Sequence, residues 1–534
     1  MAGDAPAQPI AEVIEEAGEG AAVPQPPHEA TPEAGLNRAL ITFSIMAATI
    51  MQALDSTIAN VALPRMQGSL SATEAETAWV LTSYIIAAAI MIPLTGWLAG
   101  RFGRKKVFLI SIAGFTLTSA LCGLSTSLPE IVLFRLLQGM SGAALVPLSQ
   151  AVLFDINPPE RHGQAMAVWG IGVTLGPVLG PVLGGYLTQN YDWGWVFFIN
   201  VPVGIIAFLG LSASMPETHK HSERFDFFGF ITLAIAIGAF QFFLDRGPEK
   251  DWFGSREIIV EAAVAALAFY SFLVHTATHP RPFLSPRLFA DRSFVTANVL
   301  IFLVGVVLFA TLALIPPMLQ NTMDYPVFDS GLVTAPRGVG TMIGMMVVGR
   351  LVGRWDARAI MTVGLGLTVF SLWEMTQFDL LMDSRLVVIS GMLQGFGIGL
   401  TYVPLSTLAF GTLARDLRNE GTAFFNLQRN IGSAIGISAV QALLVRNTQI
   451  VHASLGTHIT PYNLDSLAFA ARGLHPHGLA SLLRLNGLIT RQASMIAYVD
   501  DYKLMMVLTL AVIPLLFFLR PPRKAGSQEM VVLE

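Results

Sequence analysis

From Arg38 to Pro522 the chain alternates long apolar runs with short polar connections. A helix needs about 20 apolar residues to cross a bilayer. The pattern predicts fourteen spans, roughly at 38–63, 77–99, 106–126, 129–154, 163–188, 193–214, 226–244, 256–277, 293–319, 328–352, 358–378, 384–411, 421–446 and 502–520. One connection is long, Asn447–Asp500, and its Leu464–Ala471 and Leu479–Ile496 stretches carry helix-like apolar spacing. The first span is interrupted by polar residues. Gln52, Asp55, Ser56 and Asn60 recur at i, i+3, i+4 and i+8, which places them on one helical face. A charge at mid-span costs about 2.5–3.5 kcal/mol, so this face is expected to line a cavity or meet a partner.

The pattern repeats. Gly96-Trp-Leu-Ala-Gly100-Arg101-Phe-Gly103-Arg104-Lys105 follows span 2, and Gly349-Arg-Leu-Val-Gly353-Arg354-Trp-Asp-Ala-Arg358 follows span 10. Leu137-Gln138-Gly139 and Val146-Pro147-Leu148-Ser149 in span 4 match Leu393-Gln394-Gly395 and Val403-Pro404-Leu405-Ser406 in span 12. The fold class is therefore an all-α membrane protein. Two six-helix bundles, 38–214 and 293–520, flank two inserted helices at 226–277. The second bundle includes the outer segment 447–500. Residues 1–37 are an acidic, proline-bearing tail with no Lys or Arg, expected to be disordered. Residues 521–534 form a second tail. Parallel six-helix repeats are a transporter plan, with the site near the midplane between the halves.

Composition agrees. The 534 residues are 53% hydrophobic and 13% charged, against about 25% charged in soluble domains. The net charge of −4 gives no reason to expect a nucleic-acid partner. The single cysteine, Cys122, excludes a disulfide framework and reads as a packing residue. No metal motif or nucleotide fingerprint is present, so no cofactor is expected and the chain does not read as an enzyme. With the N-terminus inside, the inner segments hold 19 Lys and Arg and the short outer connections 5. That bias puts both termini in the cytoplasm.

Candidate chemistry lies at a few positions. Asp55 and Arg135 fall at similar depth in spans 1 and 4, which makes an ion pair geometrically reasonable, and Gln138 shares the face of Arg135. Such a pair can titrate during transport or merely join two helices. Tyr84, Gln394, Asn426 and Arg429 join Gln52, Ser56, Asn60 and Gln138 as candidate cavity residues. The loop containing Gly96, Gly100, Arg101, Gly103 and Arg104 reads as a gating latch, with Asp155 as its carboxylate partner. In span 5, Gly172, Gly176, Gly180 and Gly184 recur every four residues with Pro177 and Pro181 between them. These glycines predict a smooth groove for a neighbouring helix, and the prolines a bend. Arg337 is expected to snorkel to the outer headgroups, and Glu261 and Glu374 to be interfacial.

Together, Leu54–Pro64, Gly96–Lys106, Arg135-Leu-Leu-Gln138-Gly139, Gly172–Gly185 and Asp192–Pro202 resemble the EmrB/QacA group of the major facilitator superfamily, fourteen-span drug:proton antiporters. The group often has Asp where this chain has Gly100. The resemblance implies proton-coupled efflux of lipophilic, often cationic small molecules across the bacterial inner membrane, driven by the proton motive force. Asp55 and Arg135 would couple the proton, and the span 5 glycines and prolines would be the antiporter motif. It also implies that the 447–500 segment meets a periplasmic adaptor and an outer-membrane channel, though the segment can equally cap the outer vestibule. The alternatives are a proton-coupled symporter for a small organic solute, an exporter of one metabolite or siderophore, and a membrane-embedded enzyme or sensor.

Overall fold

The computed structural model describes residues 37–217, 225–248, 250–352, 354–414, 417–459 and 479–519. The two tails, Lys220, Arg224, Gly353, Arg415 and the Leu464–Ala471 stretch lie outside the described residues.

From Arg38 onward the chain forms one unit. Its first half contains α1 (Arg38–Leu70), α2 (Glu74–Met91), α3 (Leu94–Phe102), α4 (Arg104–Leu124), α5 (Leu128–Gly142), α6 (Leu145–Ile156), α7 (His162–Asn190), α8 (Trp195–Phe198) and α9 (Asn200–Ser214). The insert is α10 (Phe227–Arg246) and α11 (Arg256–Thr278). The second half contains α12 (Arg292–Pro317), α13 (Val327–Leu351), α14 (Ala357–Met375), α15 (Ser384–Gly411), α16 (Arg418–Thr457) and α17 (Leu479–Val512). A π-helical turn, Met318–Thr322, follows α12.

Twelve of these segments are long and apolar enough to cross a membrane, or 13 if the bent pair α2–α3 is one span. Pro93, which has no N–H to donate, stands at the 56° break in that pair. α14 occupies the place expected for the eleventh span, but Arg358 and Glu374 lie near its two ends and it falls outside that set.

Helix ends follow local chemistry. The Thr73 hydroxyl accepts from the Glu76 N–H and the Glu76 carboxylate accepts from the Thr73 N–H, closing a capping box. Asp226, Asp291, Asp356 and Asp383 cap four further helix starts. Gly103 links α3 to α4 at φ 88°, a conformation that favours glycine.

The halves repeat in three dimensions. α1 packs on α7 and α9, as α12 packs on α16 and α17; α2 packs on α5, as α13 packs on α15. Between the halves, α7 runs along α13 and α3 rests on α16. The long segment departs from a simple loop, because helix continues from α16 to Thr457 and resumes at Leu479. The 40 residues of α16 measure about 60 Å at 1.5 Å per residue, twice the hydrocarbon thickness of a membrane. His452 Nε2 and Asn486 Oδ1, 3.0 Å apart, join the two extensions.

Candidate functional site

The residue pattern of α1 divides over two surfaces. Asp55 is fully buried and turned into its own half. Its Oδ2 accepts from Arg135 Nη1 at 2.7 Å. Its Oδ1 accepts from Gln138 Nε2 at 3.0 Å and Asn200 Nδ2 at 2.8 Å. Arg135 also donates to the Val80 carbonyl (3.1 Å) and to Gln138 Oε1 (2.9 Å). Its guanidinium lies over the Tyr84 ring at 4.2 Å and the Phe197 ring at 5.6 Å, where the ring faces favour a cation. A buried pair persists only when its remaining donors and acceptors are bonded, and these partners do that. Cys122 is buried against the network, its Sγ 3.6 Å from Gln138 Oε1.

Asn200 opens α9 and joins Asp55 to Ser119, donating to its Oγ at 3.0 Å. It was not among the candidates. Its signal was an amide near the end of the Asp192–Pro202 motif, directly after the apolar run Trp195–Ile199.

Gln52, Ser56 and Asn60 line a cavity of about 1480 Å³, together with Tyr84, Asn426 and Arg429. Gln52 Nε2 donates to the Tyr84 hydroxyl at 3.2 Å. The Asp55–Arg135 pair therefore sits directly behind the cavity wall, and Tyr84 touches both. Gln138 and Gln394 do not line the cavity. Gln138 belongs to the ion-pair network, and Gln394 is buried with its Nε2 3.3 Å from Thr311 Oγ1. Arg429 Nη1 lies 3.4 Å from the Tyr402 hydroxyl.

Arg337 differs from expectation. It is 6% exposed and lines the cavity instead of reaching headgroups. Its Nη2 donates to the Leu308 carbonyl at 3.1 Å, while Nη1 is buried with no hydrogen-bond partner. Arg337 stands near the middle of α13 (Val327–Leu351), and packing against α12 and α15 turns the side chain inward. Glu261 lies 3.4 Å from Arg246 near the end of the insert.

The cavity is closed at the end bearing the Gly96–Lys106 loop. Asn426 Nδ2 donates to Gln150 Oε1 at 2.7 Å, and Gln150 Nε2 donates to the Tyr402 hydroxyl at 3.3 Å. Trp169 stacks on Tyr402, and Phe154 packs edge-on against Phe410. Beyond this layer Asp155 pairs with Arg104 of its own half and, at 3.2 Å, with Arg418 of the other. Gly96 allows close approach: a β-carbon there would lie 3.0 Å from the Glu420 Cα. Gly100 has open space around it. Arg101 is exposed.

The glycine ladder of α7 faces α1. β-Carbons at Gly172, Gly176 and Gly180 would run into Met46, the Ala53 backbone and Thr57, and one at Gly184 would stand 3.0 Å from Ile58. Thr57 Oγ1 donates to the Gly176 carbonyl at 3.1 Å. The helix runs unbroken through Pro177 and Pro181.

A large cavity between two repeated six-helix halves, closed at one end by a polar and aromatic layer, is the plan of a membrane transporter. Known proteins agree. The Major Facilitator Superfamily profile matches residues 45–437. The chain is 34% identical over 502 residues to the Multidrug export protein EmrB of Escherichia coli K12, covering 93% of this chain and 98% of that one. It is 34% identical over 506 residues to the Fatty acid resistance protein FarB of Neisseria gonorrhoeae, covering 93% and 99%. Among solved structures, the human organic anion transporter MFSD10 shares the fold with a TM-score of 0.60 at 15% identity, covering 88% of this chain and 99% of that one. The chain belongs to the major facilitator superfamily.

Proposed function

We propose that the protein exports lipophilic small molecules from the cell in exchange for protons, in the manner of a multidrug efflux pump. The observation that carries this reading is the Asp55–Arg135 pair buried directly behind the wall of a large, mostly apolar cavity between the halves. Such cavities bind by apolar contact with a few convergent polar groups. The relatives named for multidrug export and fatty acid resistance support export as the direction.

The proton is taken up at Asp55. Protonation removes the charge that holds Arg135, so Arg135 and Tyr84 shift toward the cavity and the α1–α5 contact loosens. Closure at the opposite end follows as the Asp155 contacts to Arg104 and Arg418 part. The energy source is the proton motive force, and no bound cofactor takes part. The membrane is the bacterial inner membrane, with both termini in the cytoplasm, as the Lys and Arg bias favours. The loop-bearing end is then cytoplasmic, and the extended α16 and α17 point into the periplasm as a docking surface for an adaptor.

Cavity charge favours anionic or weakly acidic substrates over cations. Asp55 faces away from the cavity, whereas Arg337 and Arg429 line it; the carboxylate among the lining residues, Glu420, accepts from the Ser285 N–H, and among the described residues no carboxylate forms an ion pair with either arginine. This reverses the cationic preference that the family resemblance implied.

Everted vesicles with an imposed pH gradient test the reading. Wild type should accumulate lipophilic acids in the gradient-dependent direction, and Asp55→Asn should abolish this. Full gradient-driven transport by Asp55→Asn would overturn the coupling role.

A further inference from the structure

The two inserted helices are absent from the six-plus-six plan of the repeat, and neither half supplies a counterpart. Their position gives them a task. Leu233, Ile237 and Phe240 of α10 and Phe269, Phe272 and Thr276 of α11 line the same continuous cavity as Gln52 and Arg429. The insert is therefore a third wall of the cavity, beside the two halves.

Its attachment fits a wall. Near one end of α10, Thr82 Oγ1 of α2 donates to Asp245 Oδ2 at 2.5 Å, and Ser438 Oγ of α16 donates to the Leu244 carbonyl at 2.8 Å. α10 thus bridges one helix from each half. At the other end, Asp226 accepts from His275 of α11 and from the Phe283 N–H, which pins the pair and its exit chain. The cavity-facing surface of α11 carries Ala262, Ala265 and Ala266, which leave room, next to the rings of Phe269 and Phe272. Phe272 is 4% exposed, and the Thr276 hydroxyl is buried with no hydrogen-bond partner. A hydroxyl without a partner loses hydrogen-bond free energy that a ligand's polar group can restore.

We propose that the insert is a substrate-contacting wall. Phe240 and Phe272 hold the aromatic or aliphatic body of an amphipathic substrate, and Thr276 hydrogen-bonds a polar substituent on it. The wall sets which body sizes are accepted, while coupling stays with α1, α5 and α9. This rests on the transport reading above and adds to it the residues that discriminate among substrates. Aromatic contact of this kind carries geometric preference beyond buried area.

Equilibrium binding to purified protein in nanodiscs tests the wall without needing transport. The probes are 8-anilinonaphthalene-1-sulfonate and a straight-chain fluorescent fatty acid. Phe240→Ala and Phe272→Ala should each raise the Kd for the bulky aromatic probe by about tenfold, the loss expected for about 1.4 kcal/mol. The fatty acid should be affected less, so the ratio of the two affinities changes. Thr276→Val should weaken binding with unchanged melting temperature. Unaltered Kd values in all three variants would overturn the wall. An equal loss for both probes accompanied by a lower melting temperature would also overturn it, by making the insert a structural brace only. If wild type binds neither probe, the transport reading itself falls; binding in wild type that no insert variant alters leaves that reading intact.

Discussion

Asn200 Nδ2 lies 2.8 Å from Asp55 Oδ1, so a helix 145 residues away in sequence fixes the carboxylate that faces Arg135. The oxygen that Asn200 contacts also receives Gln138, while the other receives the guanidinium. Asn200 is therefore a positioning residue for the pair. Asn200→Ala should lower stability by about 1–3 kcal/mol, the cost of a lost buried hydrogen bond to a charged group. It should also displace the pH profile of transport. Asn200→Asp adds a second buried carboxylate and should be worse than alanine. An unmoved pH profile in the alanine variant would make Asn200 purely structural.

Removing one member of the pair should differ from removing both. Arg135→Ala leaves a buried carboxylate uncompensated, a loss of about 3–5 kcal/mol. Asp55→Asn/Arg135→Gln should recover most of that stability and no gradient-driven transport. Thermal melting and vesicle transport on the same preparations separate the two effects. Recovery of transport in the double variant would show that the pair only joins α1 to α5.

The glycines of α7 should not be equivalent. Gly176→Ala forces a methyl group into the Ala53 backbone, which cannot rotate aside, and overpacking of this kind costs about 1–3 kcal/mol. Gly185→Ala and Gly100→Ala meet nothing within 4 Å and should be silent in melting assays. A silent Gly176→Ala would mean that α1 and α7 separate easily.

Asp226 lies outside the spans and gives a pH-dependent prediction. Burial alone would raise its carboxyl, but the N–H groups of Gly229 and Phe283 and the His275 imidazole outweigh burial and hold it below the usual range. The folded value is depressed, so its stabilisation is complete above the ordinary carboxylate value of about 3.9 and is lost as pH falls through the lower folded value. Asp226→Asn should therefore reduce the melting temperature at pH 5, with the gap closing only below about pH 3.9. A gap already closed at pH 5 would show that the Asp226 carboxylate does not govern the contact.

Much of the fold was legible because membrane helices must satisfy their backbone internally, so apolar run length translates directly into spans. The pairing of Asp55 with Arg135 was legible from depth alone. The helical wheel grouped Asp55 with Gln52 and Ser56, but it could not say that one edge of that face meets α5 and α9 while the other meets open space. Arg337 was misplaced because distance from a helix end does not reveal which side its neighbours occupy. Arg418 as the second partner of Asp155, and the insert as a cavity wall, depend on contacts between segments far apart in sequence. No local pattern encodes such contacts.

α7 presents glycine to α1 on one side, and on another takes the glycines of α13, where Gly338 meets Val178 and Gly349 meets Ala167. Apart from Met46 over Gly172 and Met345 over Gly170, these contacts have few long interlocking side chains that must change rotamer before one helix moves past the other. In mechanical terms α7 is a bearing shared by both halves. Substitutions that roughen it should act as friction, slowing interconversion of the two cavity orientations while leaving their relative populations and the affinity for substrate nearly unchanged.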